Sequence, residues 1–332
     1  MVSSDGGGTM LPMDPADAHA PGHLRKNGVD YAAYSFPISA AAALRMPAHI
    51  TGGRFYISVG SPMYIALGDN SWAGPDPLNP ADPNIDTVYD WYEFTWVFGQ
   101  VAFGGNTTQV DSFGLPYTVR LVRESTGYDR TAGIALARDE VFAEYERTVG
   151  VPFRSLSGPA RILAPYKATF RSGGPGQDYL QPAIDAAWSH YTVSPFHYQL
   201  LGDLFTGGVV DDRLRFFRNA DGPYTIARPD TYDVMAGANS LARGNEVQKQ
   251  LGAQLCAAFN RGVAADTSKW LAAASYYPQN ALKNDYAMFF HAISLDRRAY
   301  GFSYDDVNDQ SSVQILPDAN DPPTSLALRI GW

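Results

Sequence analysis

The stretch Thr87-Val-Tyr-Asp-Trp-Tyr-Glu-Phe-Thr-Trp96 sets one carboxylate, Glu93, among aromatic and hydroxyl side chains. Alternation along a strand puts Tyr89, Trp91, Glu93 and Thr95 on one face, and Val88, Asp90, Tyr92, Phe94 and Trp96 on the other. A carboxylate flanked by rings and a hydroxyl is what a sugar-binding surface requires. Ring faces pack on pyranose C–H groups, and polar groups orient the hydroxyls. The same pattern also fits a half-exposed strand whose Glu meets only water.

A second acidic stretch, Asn106-Thr-Thr-Gln-Val-Asp-Ser-Phe-Gly-Leu-Pro116, follows a Gly-containing turn. Strand alternation aligns Thr107, Gln109 and Asp111 there. If 87–97 and 106–113 pair antiparallel, Glu93 and Asp111 face one cleft from two strands. Two carboxyls across a sugar can divide their roles. One stays protonated and donates to the leaving oxygen, while the other stays ionised and activates water or attacks carbon. Spacing along the chain leaves inverting and retaining chemistry both open, because the outcome follows the separation of the carboxyls in space.

The elements that must position these groups can be read from pattern. From Phe36 to Thr131 the signal is β, in short runs such as Arg54–Val59 and Tyr117–Arg123 bounded by Gly, Pro or Asp. The proline-rich segment Gly74–Asn84 reads as a long loop, since proline lacks the N–H a central strand needs. Residues 1–30 are Gly/Pro/Asp/Ala-rich without periodicity and are expected to form a flexible arm.

After 132 the period changes. Val141, Tyr145 and Val149 predict a helix over 138–149, Pro182–Tyr191 a second, and a third capped by Asn245 carries Val247, Leu251, Leu255 and Phe259 as one stripe. Cys256 in that helix is expected to be a buried, inert thiol. Leu214–Arg218 reads as a strand between the helices. β character returns at Ala299–Tyr304 and Ser325–Ile330, which predicts a β domain (31–131 and 290–332) with a mixed α/β domain (132–289) inserted into it.

Composition narrows the partners. Lys and Arg number 25 against 34 Asp and Glu, a net charge of −9, with no basic cluster, so nucleic-acid binding is not expected. The longest apolar runs are far too short to span a bilayer, and no membrane partner is expected. One cysteine rules out an internal disulfide or a multi-cysteine zinc site. The six histidines lack metal-ligand spacing, and His291, after two phenylalanines, reads as a packed structural residue. Asp305-Asp-Val-Asn-Asp309 lacks the alternation and glycine of a calcium loop. Neither a metal nor a cofactor is expected. The aromatic, charge-poor remainder suits a neutral polyhydroxylated ligand.

Glu93-Phe-Thr95, followed by Asn106–Pro116, resembles glycoside hydrolase family 64, the laminaripentaose-producing β-1,3-glucanases of the thaumatin-like superfamily. Gly53–Ser58, Pro80–Asn84, Tyr300–Val307 and the closing Ile330-Gly-Trp332 are similar to further family segments, so the resemblance spans 35–332. It implies a thaumatin-like β-barrel or sandwich beside a mixed α/β domain, with an open groove between them that takes β-1,3-glucan. It also implies inverting hydrolysis, with Glu93 matching the general acid and Asp111 the general base. Thr95 and Thr108 match hydroxyl-bearing positions of the sugar subsites, whereas alternation favours Thr107 on the Asp111 face; Trp91 is expected beside them as a sugar-binding ring. The interval from Glu93 to Asp111 is slightly longer than the family pattern, and Phe103 or Gly104 stands where that pattern has tryptophan. A polymeric wall glucan implies a secreted protein whose leader has been removed, and a monomer is expected. The competing reading is a catalytically silent glucan-binding or antifungal thaumatin-like protein using the same cleft.

Overall fold

The computed structural model describes residues 2–3, 10–11, 14–19, 22–40, 43–45, 48–68 and 71–332. Residues 1, 4–9, 12–13 and 20–21 of the arm expected over 1–30 lie outside the described residues. The rest of that segment includes a hairpin of Leu24–Lys26 with Val29–Tyr31. Its turn, Asn27-Gly28, has φ of +54° and +80°, the left-handed pair that a two-residue hairpin demands.

The architecture is mainly β, with two open sheets laid face to face. One has the order Gln314–Ile315, Val101–Thr107, Val88–Val97, His49–Val59, all antiparallel. The other has the order Tyr128–Gly133, Tyr117–Arg123, Ser325–Ile330. Ile57, Tyr92, Trp96 and Phe103 of the first sheet pack with Tyr117, Val119 and Leu121 of the second in one core. No sheet among the described residues closes on itself. The barrel is therefore not formed, and the sandwich is the form these sheets take. Strand Ser325–Ile330 pairs along Tyr117–Val122, which returns the end of the chain to the β part.

Residues 134–299 build a second, larger core, which Phe113 of the β part joins. Helices Arg138–Thr148, Gln181–Val193 and Glu246–Asn260 fall where the periodicity predicts them. Asn245 accepts from the Gln248 N–H, and the Gln248 side chain reaches back to the Asn245 N–H, so two orphan donors at the helix start are satisfied. Cys256 is fully buried on this helix, and burial pushes its thiol up to about 12. The predicted strand near 214–218 is one of four in an antiparallel meander spanning 196–227. A further helix, Asp285–Ile293, is capped by Asn284, whose side chain accepts from the Ala287 N–H.

The strand expected at Ala299–Tyr304 does not form. Only Tyr300 makes a bridge, parallel to Thr108, and the chain then turns back on itself. The turn is fixed from beneath by Asp305, whose Oδ2 accepts from the Gly301 N–H at 3.0 Å and meets His291 Nε2 at 2.9 Å. Asp305 Oδ1 accepts from Arg261 Nη2 at 3.1 Å, and that guanidinium also reaches the Asp305 and Val307 carbonyls. Burial alone would raise the Asp305 pKa, but His291 and Arg261 outweigh it and hold the carboxyl below its ordinary value. Arg261→Met leaves Asp305 buried without its guanidinium partner. A loss of about 3–5 kcal/mol in unfolding free energy is expected, read as a lower urea midpoint.

Candidate active site

Glu93 lies in the middle of a rung that crosses three strands. Arg54 is its partner on His49–Val59, and Asn106 its partner on Val101–Thr107. Directly paired residues share a face, so both flank the carboxylate. The Arg54 guanidinium donates through Nε to Glu93 Oε1 at 3.0 Å, and the Trp91 indole donates to the same oxygen at 2.9 Å. Among the described residues no hydrogen bond reaches Glu93 Oε2. The alternation read from the sequence holds here: Tyr89 and Trp91 lie on the Glu93 side, and Tyr92 and Trp96 enter the sandwich core.

Asp111 arrives differently. The strand carrying Asn106 ends at Thr107, and the chain then bridges to Tyr300 through Thr108. Gln109 makes this junction rigid. Its N–H donates to the Tyr300 carbonyl at 2.9 Å, its carbonyl accepts from Tyr286 Oη at 2.6 Å, and its side chain accepts from the Tyr300 N–H. The Thr108 hydroxyl oxygen accepts from the Val110 N–H at 3.2 Å, which bends the chain toward Asp111. Residues Ser112–Phe113 then pair with Ile162–Leu163, and the Asp111 carbonyl accepts from the Ala164 N–H. That two-residue pairing delivers the next turn, Pro165–Lys167, to the carboxylate. Tyr166 Oη donates to Asp111 Oδ1 at 2.6 Å, and Lys167 Nζ stands 2.8 Å from the same oxygen.

The two carboxylates thus share a design, with one oxygen held by two donors and the other without a hydrogen bond among the described residues. Burial would raise the Asp111 pKa, but the donors Lys167 and Tyr166, with help from Arg54, hold it below its ordinary value. Burial also works against the Arg54 charge; Tyr56, Glu93 and Asp111 outweigh it and raise its pKa. Arg54 is thus bound directly by Glu93, and Asp111 adds to the negative field at the guanidinium. Both carboxyls are about one-third exposed, at 31% and 30%, so they are open to a ligand. Two surface cavities of about 400 Å³ each, one around Tyr179 and one around Tyr276, contain neither residue.

Behind the Glu93 strand, buried Asp90 ties the two segments together. Its Oδ2 accepts from the Gly114 and Leu115 N–H groups at 3.0 and 3.3 Å, just beyond the Asp111 turn. Burial pushes this carboxyl up to about 7, against three backbone donors that favour its charge.

Two expectations need correction. Thr107 pairs with Tyr92, so it points into the sandwich core at 2% exposure and not toward Asp111. Strand alternation fails because the strand stops at this residue. Trp91 and Tyr89, expected on the surface, are 4% and 2% exposed beneath Met63 and Ile65. Trp91 offers its indole N–H to Glu93 in place of a free ring face. Thr108 is buried at 3% as well, whereas Thr95 is half-buried and its hydroxyl accepts from the Gly52 N–H at 2.9 Å.

Arg54, Tyr166 and Lys167 complete the site without belonging to either acidic stretch. Arg54 carried a signal, a cation alternating with Tyr56 on the strand that pairs with Glu93. Tyr166 and Lys167 carried none, because a short bridge far along the chain brings them to Asp111.

A family model for β-1,3-glucanases, that of glycoside hydrolase family 64, matches residues 1–323. Among solved structures, the chain is similar to a β-1,3-glucanase domain of this family from Clostridium beijerinckii. That pair has a TM-score of 0.90 and 33% identity, covering 100% of this chain and 89% of the other. It is also similar to the laminaripentaose-producing β-1,3-glucanase of Paenibacillus barengoltzii complexed with laminarihexaose. There the TM-score is 0.76 and the identity 34%, over 99% of this chain and 66% of the other. A glucan endo-1,3-β-glucosidase of Cellulosimicrobium cellulans is 28% identical over 315 residues, which make up 88% of this chain and 56% of that relative. This chain spans about half the length of the curated relatives it matches. With the sandwich, the Glu93 rung and the Asp111 turn in view, the match across nearly the whole sequence means that the chain belongs to glycoside hydrolase family 64.

Proposed function

We propose that this chain hydrolyses β-1,3-glucan, such as laminarin, curdlan or fungal cell-wall glucan, by an inverting acid/base reaction. The products are laminari-oligosaccharides such as laminaripentaose. The observation that carries the reading is the pair of part-exposed carboxyls, each with one oxygen held by two donors and the other open, in a chain of this family.

Glu93 is the general acid. Arg54 and Trp91 hold Oε1, so Oε2 bears the proton and gives it to the glycosidic oxygen as the bond from that oxygen to C1 breaks. Asp111 is the general base. With Oδ1 held by Tyr166 and Lys167, Oδ2 takes a proton from a water that attacks C1 from the opposite ring face. This chemistry needs roughly 6.5–9.5 Å between the carboxyls, to leave room for the water. Positioned donors and acceptors supply the catalysis without a cofactor. Thr95, half-buried beside Glu93, is the hydroxyl we assign to the substrate, while Thr108 shapes the turn that carries Asp111.

We divide the chain into a thaumatin-like β part, 31–131 with 290–332, and an inserted α/β part, 132–289; the two main packing clusters follow this division except that Phe113, Phe290 and Ala299 join the larger one. A monomer outside the cell fits a polymeric wall substrate. Among the described residues no helix is long and apolar enough to cross a membrane. The test is digestion of laminarin with released sugars followed by chromatography. Laminari-oligosaccharides support the reading. Binding without release points to a silent glucan-binding protein.

The pH profile follows from the base. Asp111 must be ionised to accept a proton, and its lowered pKa extends activity toward acid. Lys167→Met or Tyr166→Phe removes a donor that favours the charged form, so the Asp111 pKa rises. The acid limb of kcat/KM is then expected to move to higher pH, by about 1 pH unit or more for the lysine. The measurement is the kcat/KM profile of each variant on laminarin, and an unmoved limb contradicts the assignment.

A further inference from the structure

Trp72 is a large apolar side chain left 46% exposed. It sits on the hairpin of Ala66–Gly68 with Ser71–Ala73, opposite Leu67. Tryptophan gains much from burial, so a half-open indole beside a site calls for a reason. Val193 and Leu201, also exposed, belong to the α/β part, and Phe98 and Val101 lie at the turn that ends the Glu93 strand. Trp72 adjoins the Glu93 side directly. Its ring meets Tyr56 edge-on, with centroids 6.2 Å apart and planes at 78°. Tyr56 in turn lies 5.7 Å from the Trp91 ring, and Trp91 hydrogen-bonds to Glu93.

The backbone is built to hold this indole. A side chain on Gly74 would put its Cβ 2.9 Å from Trp72 Cζ3 and 3.3 Å from Cη2. Glycine there lets the ring lie against the chain, which seats one part of the indole and leaves the rest to solvent. Met63, Ile65 and Leu67 cover Tyr89 and Trp91, and Trp72 marks the edge of that cover nearest Tyr56. Glu93, Trp91, Tyr56 and Trp72 therefore follow one another through a hydrogen bond and two ring contacts, with the Trp72 indole at the exposed end.

We propose that Trp72 is a stacking platform for a glucose residue of the bound glucan chain, beyond Glu93 on the side of Tyr56. This rests on the β-1,3-glucan reading. The indole supplies an apolar face for pyranose C–H groups, the role that buried Trp91 does not fill. Two ring contacts and one hydrogen bond separate Trp72 from Glu93, so the platform serves an oligosaccharide and not a single sugar.

The test measures binding of laminaribiose and laminarihexaose by calorimetry. Asp111→Asn serves as the inactive parent, because it leaves the Glu93 side untouched. Trp72→Ala in that background is expected to weaken laminarihexaose binding about three- to tenfold, with little effect on laminaribiose. Trp72→Phe should recover most of the loss. In the active protein, Trp72→Ala should raise KM for long substrates and leave kcat nearly unchanged. Unchanged laminarihexaose affinity in Trp72→Ala overturns the platform. Equal losses for both ligands overturn it too, since they mark a general disturbance of the site. If the parent binds neither oligosaccharide, the glucan reading itself fails, and the platform with it.

Discussion

Asp111→Asn is expected to lower kcat on laminarin by about 10²–10⁴-fold, with KM changed much less. The amide keeps the size of the carboxyl and can still accept from Tyr166 and Lys167 through its oxygen, so the turn should keep its shape. What it loses is the basic oxygen opposite those donors. The attacking water then has no group to take its proton, and the loss falls on a step made only in the transition state. Steady-state kinetics on laminarin read this directly. Undiminished turnover would remove Asp111 from the mechanism.

Glu93→Gln should cost a similar factor on laminarin, but through the leaving group. The amide introduced there can still accept from Arg54 and Trp91 but has no acidic proton to donate. The deficit therefore depends on how much the departing oxygen needs that proton. An aryl laminari-oligosaccharide whose phenolate departs without protonation should lose far less in Glu93→Gln than laminarin does. Asp111→Asn should lose heavily on both substrates, because the water still needs its base. This crossed comparison separates acid from base, and equal losses of Glu93→Gln on both substrates would contradict the acid assignment.

Much of this site was legible because it sits on a regular strand. Period-2 alternation along 87–96 placed Glu93 on the open side and Tyr92 and Trp96 in the core, as the two packing clusters have it. Helix starts were legible for a similar reason: Asn245 and Gln248 satisfy local donors whatever the rest of the chain does. Legibility ended where the backbone left its regular path. Thr107 was read onto the wrong face because the strand ends there, and alternation has no meaning beyond the last paired residue. The aromatic run at 299–304 looked like a strand, but hydrogen bonding from Gly301 to buried Asp305 turned it into a clamp for Gln109.

Tertiary partners explain the remainder. Trp91 reads as an exposed ring until residues 63–67 cover it, and no local pattern announces that cover. Tyr166 and Lys167 reach Asp111 only because Ser112–Phe113 pair with Ile162–Leu163, a contact too short to leave a periodic trace. The helix at Asp285–Ile293 was hidden among aromatic residues that also suit strands, and the cap at Asn284 was its one local sign. The mainly β character and the open face of Glu93 could thus be read from pattern, whereas the turn that brings in Asp111 and the donors that hold both carboxylates could not.

The proposed hydrolysis of a β-1,3-glucan by Glu93 and Asp111, through direct displacement with water, predicts the anomer first released. Proton NMR of laminarin during the first minutes of digestion, before mutarotation, reads that anomer. The newly formed reducing ends are expected to appear first as the α-anomer, and Asp111→Asn is expected to suppress this signal. A β-anomer appearing first, or no new reducing ends from the unmodified protein, would contradict the mechanism.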